Sequence, residues 1–170
     1  MPRSQVLLRA VVLGGPVLAL MATGPAGHWP PWWLILPVVA GAGLAAAAPD
    51  SPLLAGVGLV VLVWWTVSLG DGVPASVLLA ATGLVAAHLA ALLASYGPPA
   101  MPLDAATLRL WARRGALVLL LVPGAFAVTR LLDGEPEQPG IWVLGVAAAC
   151  VATVVATAAI DVRTATQEEQ

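Results

Sequence analysis

Long apolar segments separated by short, turn-forming stretches account for most of this sequence. A helix needs about 20 apolar residues to cross the hydrocarbon core of a bilayer, and several segments approach that length. The stretches between them are rich in proline, glycine and aspartate, which end helices. The pattern predicts an all-α, polytopic integral membrane protein, a single membrane domain folded as a six-transmembrane-helix bundle with a polar cytoplasmic tail. The predicted spans are 6–23, 32–48, 53–69, 75–96, 113–132 and 141–160, and the tail is 161–170.

The fifth span indicates how the chain is oriented. Arg109, Arg113 and Arg114 come directly before an apolar run of membrane-crossing length. Because arginine is costly in hydrocarbon, the three must stay at a membrane surface while the run enters the bilayer. The helix is predicted to begin near Ala105 and to end near Leu132. At 1.5 Å per residue it would be about 40 Å long, so its first turns are expected to lie in the interface.

Six spans place both termini on one side of the membrane. With that side cytoplasmic, the outer loops hold only Arg130 and the other six arginines are cytoplasmic, as the positive-inside rule requires. Arg9 lies several residues into the first span, and its long side chain is expected to reach back to the headgroups. We interpret this span as a retained signal anchor rather than a cleaved signal peptide, because further apolar spans follow it at once.

Tryptophan provides a second boundary signal, because its ring favours the membrane–water interface. The orientation above places Tyr96 and Trp111 at the inner interface and six tryptophans at the outer one. The second and third spans are short, and a shallow or tilted hairpin is the alternative for this pair. The tryptophans predicted at the outer interface are Trp29, Trp32, Trp33, Trp64, Trp65 and Trp142.

Composition supports a lipid environment. Hydrophobic residues make up 60% of the chain and charged residues 9%, whereas a soluble domain carries roughly a quarter charged residues. The net charge of −2 provides no basic field for nucleic acid. All seven basic residues are arginine, which is typical of a GC-rich genome and indicates the inner (plasma) membrane of a bacterium. Cys150 is the only cysteine, so an internal disulfide is impossible.

His88 is the one candidate for chemistry inside a span. An imidazole there could carry a proton, coordinate a metal or bind a substrate, and ionisable groups inside membranes are functional hypotheses by default. The sequence offers it no carboxylate within a span and no second histidine at helical spacing. A neutral histidine bonded to a carbonyl or a threonine is the alternative. No phosphate-binding loop, zinc-protease motif or nucleophile elbow is present, so we predict no enzyme, no metal and no cofactor.

Small residues recur every fourth position on the sixth span and would let another helix approach closely. They favour a non-catalytic subunit or scaffold of a membrane assembly, whose partners are the lipid bilayer and other membrane proteins or a second copy. The alternative is a small oligomeric transporter or channel with His88 near the pathway, and an intramembrane enzyme is a weaker third. A polar cavity reaching His88 would favour transport, whereas a dry, alanine-packed interior would favour the subunit. The small-residue stripe is Gly145, Ala149, Thr153 and Thr157.

Overall fold

The computed structural model describes residues 3–68, 74–95 and 105–131. These residues fold as helices joined by turns, with no β-strand among them. The all-α prediction is therefore confirmed for this part of the chain. The elements are α1 (Arg3–Met21), a 3-10 helix (Gly24–Ala26), α2 (Trp32–Ala47), α3 (Leu53–Ser68), α4 (Ser76–Ser95) and α5 (Ala105–Leu131).

The five α-helices of the described residues correspond to the first five predicted spans, so the sixth is not supported by them. The predicted span 141–160 and tail 161–170 lie outside the described residues. The prediction for the fifth helix is confirmed, because α5 begins at Ala105 and carries its arginines in the first turns. Other predicted features outside the described residues are Tyr96, Trp142, and the stripe of Gly145, Ala149, Thr153 and Thr157.

Helix length separates the described helices into two groups. Three segments are long and apolar enough to cross a membrane: Ser4–Ala26, Ser76–Ser95 and Arg109–Leu131. By contrast, α2 and α3 have sixteen residues each. At 1.5 Å per residue they extend about 24 Å, less than the ~30 Å hydrocarbon core. Their length therefore does not by itself support a full crossing of an ordinary bilayer.

Proline and glycine set the ends of the shorter elements. Gly27 has φ +90°, a left-handed conformation that glycine adopts without strain, and it ends the 3-10 helix. Pro31 is extended and precedes the first residue of α2, as its fixed φ favours. In the turn between α2 and α3, the Ser51 hydroxyl donates to the Ala48 carbonyl oxygen at 2.6 Å. Each turn thus follows from local residue chemistry.

The first helix is the centre of the described bundle. It packs most extensively against α4, then against α2 and α3, whereas α5 packs against α4. The buried interior consists almost wholly of alanine, valine and leucine. The α5 helix buries only a narrow stripe and exposes most of its apolar surface. The larger buried cluster comprises Ala19, Leu20, Ala22, Leu34, Val38, Ala42, Val57, Val61, Trp65 and Ala80, and the smaller one Val12, Ala45, Leu54, Ala87, Ala90 and Ala91.

Two glycines allow α1 and α4 to touch backbone to backbone. A Cβ atom added to Gly15 would overlap the Gly83 carbonyl oxygen and lie 2.7 Å from the Ala87 Cβ atom. A Cβ atom added to Gly83 would lie 2.8 Å from the Gly15 carbonyl oxygen. Close approach through small residues is the usual packing mode where lipid removes the hydrophobic reward for contact. The central helix pair therefore depends on both positions lacking a side chain.

Two tryptophans predicted at the outer interface donate hydrogen bonds to other residues of the described bundle. Trp65 is 8% exposed, and its indole N–H donates to the Ala19 carbonyl oxygen at 2.9 Å. The indole N–H of Trp64 donates to the Thr23 hydroxyl at 3.3 Å, and that hydroxyl donates to the Leu20 carbonyl oxygen. These N–H groups therefore bind the last turn of α1 and Thr23 in the turn after it, and the place of the two rings at the outer interface stays a prediction. The side chains of Trp29, Trp32 and Trp33, by contrast, are 70%, 73% and 58% exposed.

Replacing Trp65 by phenylalanine is expected to lower the free energy of unfolding by about 1–2 kcal/mol, because a buried carbonyl loses its donor. Ala19 lies in the last turn of α1, where helix carbonyls lack regular partners. Far-ultraviolet circular dichroism during denaturation in detergent would measure the change. The matched control is Trp33→Phe on the exposed surface, for which we expect a change below about 0.5 kcal/mol. Equal losses in the two variants would contradict the assigned role of the Trp65 hydrogen bond.

Candidate functional site

His88 lies on the exposed side of α4, away from the buried interior of the described bundle. Its neighbours Ala87 and Ala90 are buried, whereas the imidazole is among the exposed side chains. No residue that the structure describes forms a hydrogen bond with it. The structure thus places His88 on the exposed surface of α4, without a carbonyl or threonine partner within the described part of the chain.

The guanidinium of Arg9 forms a polar contact with the end of α2. Its Nη1 donates to the carbonyl oxygens of Ala46 and Ala47, at 2.6 and 3.1 Å. These residues end or adjoin the end of α2, where carbonyls have no partner within the helix and carry partial negative charge. A cation here stabilises the helix end. The Arg9 side chain is thus held at the end of a neighbouring helix, and its predicted approach to the headgroups stays a prediction.

Two buried polar atoms accompany this cap. Arg9 Nε is buried and has no hydrogen-bond partner among the described residues, and the same is true of Gln5 Oε1, one helical turn earlier. The Gln5 side chain is 1% exposed. An acceptor and a donor left unpaired on adjacent turns are suited to one bridging water molecule. The N-terminal part of α1 thus carries a small polar cluster inside an otherwise apolar interior.

Contacts between the helices show which residues share a height along the bundle. Gly15 faces the α4 segment between Gly83 and Ala87, and a Cβ on Gly115 would lie 3.2 Å from Leu89 Cδ1. Since consecutive helices run in opposite directions, counting 1.5 Å per residue from these contacts brings Arg9 and Arg113 to about the same height.

His88 lies at a height between the arginine level and the Gly15 contact. Counting from the Gly15 contact places it about level with Val12, three residues or roughly 5 Å along the axis from Arg9. The prediction that His88 lies deep within its span stays a prediction, since the register gives its height relative to the other helices and not to a bilayer.

Open grooves between the described helices are apolar. The grooves between α2 and α3 include one lined by both Pro37 and Pro52 and one beside Trp33 and Trp64. The groove between α4 and α5 runs along Phe126 and ends at Thr129. Each has a volume of about 400 Å³, and His88 lines none of the three. Such surfaces accept acyl chains or apolar side chains rather than ions.

The described residues contain no group of three histidine, cysteine, aspartate or glutamate side chains placed to bind a metal. Comparison with models of known protein families finds no match, and neither the curated proteins nor the solved structures include a match to this chain. The site is therefore interpreted from its own geometry.

Replacing His88 by glutamine is expected to change the free energy of unfolding by less than about 0.5 kcal/mol, because the side chain is exposed. The matched variant is Ala87→Gln, at a neighbouring position that is fully buried. It would force a long polar side chain into the α1–α4 contact, and we expect a loss of about 2 kcal/mol or more. Chemical denaturation in detergent would compare the two. A larger loss for His88→Gln would contradict the surface placement.

Proposed function

We propose that this protein is an integral membrane protein that acts as a non-catalytic subunit or scaffold of a membrane assembly. The observation that carries the proposal is the apolar interior of the described bundle, in which alanine, valine and leucine fill the buried positions. The exposed position of His88 adds support, because a transport pathway through it would need a polar cavity at that side chain.

Membrane location is supported by surface as well as by length. Three described segments are long and apolar enough to span a bilayer. Many large apolar side chains are exposed, among them Leu117, Leu120 and Leu121 on α5. Exposure of so much apolar surface to water is unfavourable, whereas contact of this surface with lipid acyl chains is favourable. We extend this to six spans in the inner membrane of a bacterium, with both termini cytoplasmic.

Thiol labelling tests the orientation. In a chain with Cys150→Ala, we introduce His28→Cys in the turn after α1 or Asp50→Cys in the turn after α2, both at exposed positions. The proposed topology predicts that a membrane-impermeant maleimide labels the first in intact cells and the second only after the membrane is permeabilised. The reverse pattern, or labelling of both in intact cells, would contradict it.

Two measurements on the purified chain test the proposed role. Mild detergent extraction followed by native mass spectrometry should give a complex of fixed stoichiometry between this chain and another membrane protein. Vesicles holding the chain alone should remain impermeable to protons and small ions. A chain that is isolated alone or only with copies of itself, and that makes vesicles permeable in a His88-dependent way, would support the alternative of an oligomeric transporter or channel and reject the scaffold.

A further inference from the structure

The apolar surface of α2 ends at an aromatic side chain on one side and at a polar contact on the other. The helix begins with Trp32, whose side chain is 73% exposed, and ends at the carbonyl oxygens that Arg9 binds. Its sixteen residues extend about 24 Å at 1.5 Å per residue. The guanidinium and the indole ring thus define two levels on the bundle separated by about 24 Å.

The fifth helix gives the same spacing independently. Arg114 and Arg130 are sixteen positions apart, and no charged residue lies between them. The rise between the two is again about 24 Å. The register of the helices, described above, places the arginine level of α5 at the height of Arg9. The helices α2 and α5 are not adjacent in the chain, yet both give the same two limits. We call the band of apolar surface between these limits the apolar belt of the bundle.

The height of the Arg9 guanidinium along the bundle cannot adjust to a thicker bilayer by a change of side-chain conformation alone. An arginine near a helix end usually extends its side chain toward the headgroups. Here Nη1 is held by the carbonyl oxygens of Ala46 and Ala47 on a neighbouring helix. A guanidinium is costly in hydrocarbon, so water and headgroups are drawn to this height.

We infer that the described bundle fits a hydrocarbon layer of about 24 Å, thinner than the usual core of about 30 Å, and that its lipid partner is a bilayer of short acyl chains. The inference rests on the membrane insertion proposed above. A helix that is too long for its bilayer can tilt, but a belt that is too short must thin the bilayer around it. Stability is therefore predicted to depend on acyl-chain length.

The test reconstitutes the full chain in phosphatidylcholine vesicles with dimyristoleoyl, dioleoyl or dierucoyl chains, in order of increasing length. Denaturation followed by tryptophan fluorescence should give the highest midpoint in dimyristoleoyl vesicles and a lower midpoint at each longer chain. A midpoint that is independent of chain length, or highest in dierucoyl vesicles, would overturn the inference.

A depth profile measures the belt directly. In the Cys150→Ala background, spin labels at Ala112, Ala116, Leu120, Val128 and Leu131 report accessibility to oxygen and to a water-soluble nickel chelate in dimyristoleoyl vesicles. We expect the hydrocarbon signature from Ala116 to Val128 and an interfacial signature at Ala112 and Leu131. A hydrocarbon signature at both outer positions would require a thicker belt and would reject the value of about 24 Å.

Flotation and alkaline extraction separate the two proposals. A chain that floats with all three vesicle types and resists extraction is inserted, so an absent chain-length dependence would then count against the thin belt alone. A chain that is released from all three would reject membrane insertion, and with it the belt.

Discussion

Replacing Gly15 by alanine is expected to lower the free energy of unfolding by about 1–3 kcal/mol, the usual cost of overfilling a packed contact. The added Cβ atom would overlap the Gly83 carbonyl oxygen and crowd the Ala87 Cβ atom. A backbone oxygen cannot rotate away as the end of a side chain can, so α4 must shift as a whole. Since α1 packs most extensively against α4, the shift would disturb the central contact of the described bundle.

The preceding residue is a matched control. Gly14 lies on the same helix, and a Cβ atom there would meet no heavy atom within 4 Å. Alanine is favoured over glycine in a helix by up to about 1 kcal/mol. We therefore expect Gly14→Ala to leave stability unchanged or raised and Gly15→Ala to lower it. Denaturation in one detergent would compare them, and changes of the same sign and size would contradict the close α1–α4 crossing.

The helices themselves could be predicted from the sequence, because apolar length and breaking residues are local signals. The first five predicted segments each overlap one α-helix, and α5 begins at Ala105 as its length and arginines indicated. Gly14 and Gly15 are adjacent in the sequence, but nothing in the local sequence shows that Gly14 is exposed and that Gly15 packs against α4. That difference arises only when a second helix is in place.

The hydrogen-bond partners of the polar and aromatic side chains could not be predicted in the same way, because they depend on which helices pack together. The preference of tryptophan for interfaces describes a side chain facing lipid, but Trp65 faces the last turn of α1, whose carbonyl needs a donor. The interpretation of His88 as deep came from its position within the fourth apolar segment. Its height relative to Arg9 depends on how α4 packs against α1, which only the packed structure shows.

Replacing Arg9 by methionine is expected to lower the free energy of unfolding by about 3 kcal/mol, because hydrogen bonds from a charged group contribute roughly 1.5–3 kcal/mol each. The substitution retains an apolar side chain of similar length but removes the donor shared by the Ala46 and Ala47 carbonyl oxygens. The carbonyl oxygens at the end of α2 would then need water as their donor. Loss of helix signal at lower denaturant concentration would measure the effect.

Arg113→Met is the control for charge and orientation. Arg113 is exposed and lies at about the height of Arg9, so both variants remove one positive charge from the same end of the bundle. We expect Arg113→Met to change stability by less than about 0.5 kcal/mol. Arg9→Lys should lie between the wild type and Arg9→Met, since an ammonium keeps the charge but cannot match the planar guanidinium. Equal losses for Arg9→Met and Arg113→Met would show that charge at this end, rather than the cap on α2, determines stability.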